Sequence, residues 1–173
     1  MTVCCPVVYG SMAWWLGKKA DDQHTHRWTL FVQGPNGEDI SYFVSKVVFH
    51  LHPSFPEPLR EITSYPFEVT EMGWGEFGAK MTLHFRDPGE APVDVAHNLR
   101  LYGDPSVPLT TKQPVVAEQY DEVVFTDPSA DFFDCLTRGH DAVPLAAPER
   151  QPFHARFRDA DDVLRLVVAR RFV

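Results

Sequence analysis

The sequence predicts an all-β protein, an antiparallel β-sandwich followed by a short C-terminal helical extension. Three observations favour this fold. Apolar and polar residues alternate over several short runs, turn-forming residues separate these runs, and no helical pattern lies between them. A chain of 173 residues is long enough for one domain with an extension, and its core needs neither disulfides nor a metal.

Each predicted strand has a face of apolar residues at every second position. The inward positions in chain order are Trp28, Leu30 and Val32, then Val47, Phe49 and Leu51, then Met81, Leu83 and Phe85, and then Val95, His97, Leu99 and Leu101. The turn Gly34-Pro35-Asn36-Gly37 contains Asn-Gly, a strong signal for a hairpin. Residues 115–125 form a further strand-like run.

The C-terminal part is predicted to be helical and irregular. We divide the chain into a domain over residues 1–126 and an extension over residues 127–173. Asp127 is the expected N-cap, Pro128 the first helical position and Gly139 the C-cap, which predicts a helix over 128–138. Prolines make 140–158 a predicted loop.

A last helix is predicted from Asp159, with acidic residues in its first turn and arginines near its end. Its apolar face is broad and consists of Val163, Leu164, Leu166, Val167 and Val168. This face either packs back on the sandwich or docks on a partner, and the sequence leaves both open.

Composition excludes several classes of function. The net charge of −8 disfavours general binding to DNA, which needs a basic surface, and suits a basic partner. Three cysteines without a CxxC spacing give neither a disulfide framework nor a thiolate zinc site. There is no leader pattern and no apolar run of membrane-spanning length, so we expect a reducing, intracellular compartment and no membrane partner.

Motifs for catalysis are scarce. The chain has no GxSxG elbow, P-loop or GxGxxG sequence. Two histidine pairs, His24 with His26 and His50 with His52, have the spacing that places both rings on one face of a strand. They are either ordinary half-exposed strand histidines or part of a metal site, although no carboxylate is spaced to complete one.

Two segments, residues 50–58 and 65–77, are interpreted as turns that carry aromatic residues where polar ones are usual. Trp74 lies between Gly73 and Gly75, so the backbone there can bend sharply or approach a ligand closely. From composition alone, Trp74 either folds over the core or faces a ligand.

These segments resemble the YEATS domain family of histone acyl-lysine readers. The resemblance rests on His24-Thr25-His26-Arg27-Trp28, on Leu51-His52-Pro53-Ser54-Phe55 and on the run from Pro66 to Phe77 that contains Gly-Trp-Gly-Glu-Phe. Val8-Tyr9-Gly10 and residues 115–128 fit too, so that the resemblance covers about residues 6–138. Residues 115–128 are similar to the corresponding segment of one branch of the family. That branch is the YEATS subunit shared by histone-variant-exchange remodellers and histone acetyltransferase complexes.

The resemblance implies an immunoglobulin-like sandwich with an acyl-lysine channel at one end. The channel residues that it implies are His24, His52, Ser54, Phe55, Gly73, Trp74, Gly75, Glu76 and Phe77. In this comparison Phe55 and Trp74 flank the acyl group, Phe77 closes the channel and His24 lines its far mouth. Ser54 and the backbone amide of Trp74 bind the acyl-amide, and His52 orients its loop.

The implied function is non-catalytic recognition of an acetylated or crotonylated lysine on a histone tail, with H3 expected, by a nuclear chromatin-complex subunit. The implied partners include subunits of a remodelling or histone acetyltransferase complex. No cofactor, metal or sequence-specific contact with nucleic acid is expected. Two alternatives remain: a histone-chaperone-like or scaffold subunit whose pocket is unused, and, more distantly, a metal-dependent enzyme that uses the histidine pairs.

Overall fold

The computed structural model describes residues 1–143. Its strands are β1 (Thr2–Trp15), β2 (His26–Gln33), β3 (Val44–His50), β4 (Leu59–Ile62), β5 (Phe67–Gly73), β6 (Gly78–Phe85), β7 (Val93–Asn98) and β8 (Val115–Thr126). A 3-10 helix, Gly17–Lys19, follows β1, and helix α1, Ala130–Ala142, follows β8. In this part of the chain no helix is long and apolar enough to cross a membrane.

The strands form two antiparallel four-stranded sheets, which confirms the predicted sandwich. One sheet has the order β5-β2-β1-β8 and the other the order β4-β3-β6-β7. The inward side chains of both sheets meet in one core. Its largest fully buried side chains are Trp28, Leu30, Ile40, Phe43, Phe49, Phe67, Met81, Leu83, Leu99, Leu101, Phe125 and Leu136.

Strand β1 is 14 residues long, and alternation alone did not reveal it. Nearly every residue of this strand is buried or half-buried. A strand buried on both faces is mostly apolar along its whole length and shows no alternation of apolar and polar residues. Its position in the middle of a sheet, between β2 and β8, accounts for the burial of its edges.

The interpretation of residues 65–77 as a turn is wrong for most of that segment, because Phe67–Gly73 is strand β5. Phe67 and Val69 point into the core, while Glu68 and Thr70 lie on the opposite face. The aromatic residues of the motif obscured this short alternation. The parts of the segment that lie outside the strand are residues 65–66 and 74–77.

The Asn-Gly turn is present but does not make a hairpin. Gly37 adopts a φ of 70° and its amide donates to the carbonyl oxygen of Gly34 (2.9 Å). The chain then crosses to the other sheet, since β2 and β3 belong to different sheets. A local turn signal cannot tell whether the strands on either side will pair.

The predicted run from Val95 to Leu101 is strand only as far as Asn98. Leu99 and Leu101 are buried beyond its end. The amide of Leu101 donates to the carboxylate of Glu76 (2.9 Å), so a side chain takes the place of a neighbouring strand.

The predicted cap of helix α1 is wrong by two residues. Ser129 is the N-cap, and its hydroxyl accepts from the amide of Phe132 (3.2 Å). Asp127 has a φ of 48°, and its amide donates to the carbonyl oxygen of Met1 (2.7 Å). A positive φ does not suit an N-cap, which needs extended backbone, so Pro128 precedes the helix.

Gly139 lies inside α1 rather than at its C-cap, which is Val143. A Cβ at Gly139 would overlap the ring of Tyr42, so glycine is needed there for close packing. The helix therefore continues through residues 140–142, where a loop was predicted. The rest of that predicted loop and the predicted last helix lie outside the described residues.

Helix α1 packs against the open end of the sandwich. Phe132 and Leu136 join the core between the sheets, and the ring of Phe132 meets Phe125 edge-on at 5.0 Å. Helix α1 therefore packs on the domain that precedes it. The division of the chain after residue 126 stays a prediction.

Candidate functional site

Three connections meet at one end of the sandwich and enclose a cleft. They join β1 to β2, β3 to β4, and β5 to β6. Because consecutive antiparallel strands reverse direction, these alternate loops lie at the same end of the sandwich. The cleft between them has a volume of about 580 Å³.

All nine residues that the sequence resemblance implies line this cleft. They are His24, His52, Ser54, Phe55, Gly73, Trp74, Gly75, Glu76 and Phe77. Sequence reasoning missed four further lining residues, Gln23, Pro56, Glu71 and Met72. Gln23 and Pro56 adjoin motif residues, and Glu71 and Met72 lie inside the run from Pro66 to Phe77, so their positions in the sequence were the available signal.

Aromatic rings form the inner wall of the cleft. The ring centroids of Phe55 and Phe77 each lie 5.6 Å from that of Trp28, in edge-to-face contacts. The centroids of Phe55 and Phe77 lie 5.7 Å from each other. Trp28 is fully buried in the core. The wall is therefore anchored to the sandwich, with ring spacings in the favourable range for aromatic pairs.

His52 and Ser54 hold the second loop in shape. The backbone amide of Ser54 donates to His52 Nδ1 (3.1 Å), and the Ser54 hydroxyl lies 2.8 Å from the same nitrogen. The amide of Phe55 donates to the His52 carbonyl oxygen (3.0 Å). Both polar groups of Ser54 therefore lie within hydrogen-bonding distance of the His52 ring, which fixes the shape of the loop.

Trp74 lies at the tip of the third loop and is 65% exposed. This excludes the alternative in which it folds over the core. On one side of it, a Cβ at Gly73 would lie 3.4 Å from Trp28 Nε1, so that position is close-packed. On the other side, a Cβ at Gly75 would meet no atom within 4 Å, so that position faces open space.

His24 lies at the outer edge of the cleft, where Asp21 holds it. The amide of His24 donates to Asp21 Oδ1 (2.7 Å), and the ring Nδ1 lies 3.1 Å from the same oxygen. The amide of Gln23 and the ring of His24 lower the pKa of Asp21. Asp21 therefore stays ionised and orients the imidazole toward the loop.

The carboxylates near the cleft already have partners. Glu76 accepts from the amides of Leu101 (2.9 Å) and Tyr102 (3.3 Å). Glu71 pairs with Arg60 at 2.9 Å. The wall of the cleft thus offers rings and neutral hydrogen-bonding groups rather than an unengaged negative charge for a cation.

The four histidines of the two pairs have different environments and different contacts in the structure. His26 is buried, and its ring meets Tyr102 edge-on at 5.1 Å. His50 Nε2 lies 3.0 Å from the Thr82 hydroxyl, while His24 and His52 have the contacts described above. Residues 1–143 contain no group of three or more potential ligands that could hold a metal ion.

Comparison with known proteins gives the same assignment as the motifs. The YEATS family model matches residues 23–103. The AF-9 homolog of Eremothecium gossypii is 44% identical over 140 residues, which cover 77% of this chain and 67% of that protein. The chain belongs to the YEATS family. The AF-9 homolog of Saccharomyces cerevisiae is 39% identical, over 79% of this chain and 69% of its own length.

TFIID subunit 14b of Arabidopsis thaliana is 54% identical over 132 residues. These cover 75% of this YEATS chain but only 49% of that subunit, so the chain spans about half the length of this relative. Among solved structures, the Yaf9 YEATS domain bound to H3K27ac is 40% identical, with a TM-score of 0.71 over 80% of this chain and 95% of that domain. A second Yaf9 YEATS structure, with a TM-score of 0.68, is described as recognising an H3K122suc peptide.

Proposed function

We propose that this protein binds an acylated lysine of a histone tail, with H3 the preferred histone, in the cleft at the end of the sandwich. The observation that carries the proposal is the convergence of the nine motif residues, from three loops, on one cleft. The similar Yaf9 YEATS domains, one bound to H3K27ac and one recognising an H3K122suc peptide, support it.

The proposed roles are those that the family resemblance implies, and the presence of these residues in the cleft supports them. Phe55 and Trp74 flank the acyl group, Phe77 closes the inner end and His24 lines the outer mouth. Ser54 Oγ accepts the amide N–H of the acyl-lysine. In the proposal the Ser54 hydroxyl donates its proton to His52 Nδ1, which lies 2.8 Å away, and keeps its lone pairs for the bond to the acyl-lysine.

The acyl carbonyl is the second polar group of the modified lysine. In the proposal the backbone amide of Trp74 donates to its oxygen, between Gly73 and Gly75. Glu76 holds the far side of this loop through its bonds to Leu101 and Tyr102. The acyl-amide thus gains one donor and one acceptor, which offsets the cost of removing it from water.

Discrimination against unmodified lysine follows from charge. An ammonium ion placed between aromatic rings, without a carboxylate to pair with, costs several kcal/mol. Glu71 and Glu76 already have partners and do not compensate that cost. Acylation removes the charge and leaves a planar group that the rings can stack against.

A longer planar acyl chain should bind at least as well as acetyl. A crotonyl group has two more carbons than an acetyl group, and full burial contributes about 0.8 kcal/mol per carbon, so the gain in affinity is at most slightly more than about tenfold. The cleft volume of about 580 Å³ leaves room for this extension.

The test is a titration of the full chain with H3-tail peptides that are unmodified, acetylated or crotonylated. We expect binding only to the acylated peptides and a loss of at least about tenfold in Trp74→Ala, because one ring face is removed. Val93→Ala, an exposed apolar residue at the start of β7, is the matched control and should bind normally.

The alternative function is a histone-chaperone-like or scaffold subunit with an unused pocket. Under that alternative the folded protein binds unmodified and acylated tails equally, and Trp74→Ala has no effect. Either result, obtained with a folded protein, would overturn the acyl-lysine proposal.

We also propose that the chain acts in the nucleus as a subunit of a remodelling or histone acetyltransferase complex. The name of the Arabidopsis relative, a transcription initiation factor subunit, supports a role in transcription. Fractionation and affinity purification of the tagged chain from nuclei should recover subunits of such a complex. Cytoplasmic location, or recovery of the chain alone, would contradict this part of the proposal.

A further inference from the structure

A second cleft, which we call the side pocket, lies beside the candidate site. It is enclosed by the ends of strands β1 and β2 and by the loop of residues 99–114 that leads into β8, and it has a volume of about 320 Å³. Most of the side chains that line it are apolar, among them Trp15, Leu101, Val107, Leu109 and Pro114. These side chains take no part in the proposed binding of the acyl group.

Strand register places the side pocket next to the acyl-lysine cleft. Gly73 of β5, which lines the cleft, is opposite His26 of β2, and His26 is opposite Trp15 of β1. His26 and Trp15 both line the side pocket. Neighbouring strands lie about 4.8 Å apart, so the pocket begins about 5 Å from Gly73 and reaches about 10 Å from it. About three residues of extended chain, at about 3.3 Å each, span the longer distance.

Glu76 joins the two sites. Its carboxylate accepts from the amides of Leu101 (2.9 Å) and Tyr102 (3.3 Å), where the chain turns from the cleft into the loop of the side pocket. The ring of Tyr102 meets His26 edge-on at 5.1 Å, and Tyr102 is 50% exposed. A peptide that leaves the cleft beside Trp74 can therefore cross Tyr102 and reach the side pocket without a change in the fold.

The loop that closes the side pocket is held by contacts of its own. The amide of Val107 donates to the carbonyl oxygen of Asp104 (3.0 Å), and the amide of Ser106 donates to the Asp104 carboxylate (2.9 Å). A Cβ at Gly17 would lie 2.8 Å from Cγ2 of Thr111, so the loop packs closely against the 3-10 helix after β1. The pocket is thus formed before any ligand binds, as binding sites usually are.

The lining indicates the chemistry of the occupant. Burial lowers the pKa of His26, so its ring is neutral at pH 7. Among the described residues that line the pocket, Asp104 then carries the one charge, and it already accepts from the amide and the hydroxyl of Ser106 (2.9 and 2.8 Å). An apolar side chain gains most from such a lining, because its binding comes from area removed from water and needs no hydrogen bond.

We propose that the side pocket binds an apolar side chain of the same histone peptide, two to four residues from the acylated lysine. Val107 and Leu109 at its rim are 63% and 39% exposed, and exposed apolar side chains beside a cleft are typical of an interaction surface. The side pocket then selects among lysines by a residue near them, whereas the cleft binds the acyl group. It can do so only if the proposed function holds, because the acyl-lysine sets the register of the peptide.

Titration of the full chain with a peptide series tests the side pocket. Every peptide has one acetyl-lysine with alanine at the four positions on each side, and one of these alanines is replaced in turn by leucine. We expect leucine to raise the affinity about three- to tenfold at one or two positions, two to four residues from the acetyl-lysine, because it removes more apolar area from water. Asparagine has nearly the shape of leucine and is the control, which should give no gain.

Two variants link that gain to the pocket. Val107→Ser combined with Leu109→Ser should remove the gain from leucine and leave the affinity for the all-alanine peptide unchanged. Val93→Ser, which removes an exposed apolar side chain of β7 outside both sites, is the control and should keep the gain. All three side chains are exposed, so these variants should fold normally.

The results for the side pocket and for the cleft are distinguishable. Binding of the acetylated all-alanine peptide, and its loss in Trp74→Ala, bears on the cleft alone. If that peptide binds, the side pocket is overturned by an absence of any gain from leucine, by the same gain at every position, or by a gain that survives Val107→Ser with Leu109→Ser. An absence of binding by every acetylated peptide, with a folded protein, would overturn both sites.

The indole N–H resonance of Trp15 gives a second and more direct readout. Trp15→Phe assigns this resonance among the four tryptophans of the chain. At saturation the best leucine peptide should shift it and the matching asparagine peptide should not, because only leucine enters the pocket. A Trp15 resonance that responds equally to both peptides, or to neither, would contradict the proposal.

Discussion

Two tryptophans show how residues of one type divide between folding and binding. Trp28 is fully buried and supports Phe55 and Phe77 from below. Trp74 is mostly exposed at the tip of a loop. Removal of Trp28 would therefore damage the fold, while removal of Trp74 leaves the core intact. Binding experiments should use the second.

The substitution Gly75→Ala adds one methyl group and is expected to affect peptide binding but not the stability of the fold. A Cβ there meets no atom within 4 Å, so Gly75→Ala should leave the unfolding midpoint within about 1 °C of the wild type, a small surface effect. In the proposed complex the peptide occupies that space, so affinity for an acetylated H3 peptide should fall several-fold. Calorimetry and peptide titration check the two parts. Unchanged affinity would mean that the peptide does not approach Gly75.

His97 predicts how the stability of the fold depends on pH. Its ring is buried, and Nε2 lies 2.8 Å from the Ser11 hydroxyl. Burial lowers the pKa of His97, a hydrogen bond that His97 donates to Gln119 partly opposes this, and Arg100 lowers the pKa further. The unfolded chain therefore binds a proton more readily than the folded chain, and stability is lost as the pH falls below the ordinary value of about 6.5.

We expect a lower unfolding midpoint at pH 5 than at pH 7.5, and a smaller difference between the two in His97→Gln. Glutamine keeps a hydrogen-bonding group but does not titrate. Thermal unfolding at the two pH values measures this difference for both proteins. The same dependence in the variant and the wild type would assign the effect to other groups, such as His26, whose pKa burial also lowers.

At the scale of elements, one loop of the cleft is shaped by a contact between near neighbours in sequence and another by contacts with remote backbone groups. The β3–β4 loop is held by His52 Nδ1, and the β5–β6 loop is held through Glu76 by amides some 25 residues away. The cleft is therefore assembled from local turns whose relative positions depend on the packing of both sheets. Such a site is available before the ligand binds.

In helix α1, the direction in which Gly139→Ala changes the unfolding midpoint tests the packing of that residue. Glycine to alanine inside a helix usually stabilises it by about 1 kcal/mol. At position 139 the added Cβ would overlap the Tyr42 ring, so Gly139→Ala should lower the unfolding midpoint instead. In a Tyr42→Gly background, which also removes the Tyr42 Cβ that would lie 2.7 Å away, the same change should raise the midpoint. Differential scanning calorimetry of the four proteins checks both signs, and a rise in the wild-type background would contradict the packing.

At the scale of the whole molecule, the acidic balance should act on the rate of encounter with a basic peptide. The net charge of −8 attracts a tail rich in lysine and arginine over distances that salt shortens. Between about 50 and 300 mM salt, the association rate with an acetylated H3 peptide should fall several-fold, while the dissociation rate changes less.

Stopped-flow measurements over that range check this prediction. A peptide whose flanking basic residues are replaced by glutamine is the control, and its association rate should change little with salt. If both peptides respond equally, the charge of the chain contributes to solubility rather than to steering.

The sandwich class and nine of the thirteen residues that line the cleft could be predicted from the amino-acid sequence. Alternation in β2, β3 and β6 follows directly from the two-residue repeat of a strand with one buried face. The motifs around Ser54 and Trp74 are contiguous, so the resemblance identified them without any knowledge of their neighbours. The strand Phe67–Gly73 was missed because its alternation is short and lies inside an aromatic motif.

Only the tertiary structure decided how these pieces are arranged. It sends the chain from one sheet to the other after the Gly34–Gly37 turn, moves the helix cap from Asp127 to Ser129 and places Gly139 against Tyr42. Each outcome depends on partners remote in sequence, as with the bond from the amide of Asp127 to Met1. Turn and cap signals are local, whereas sheet partners and close packing are chosen by the free energy of the assembled core.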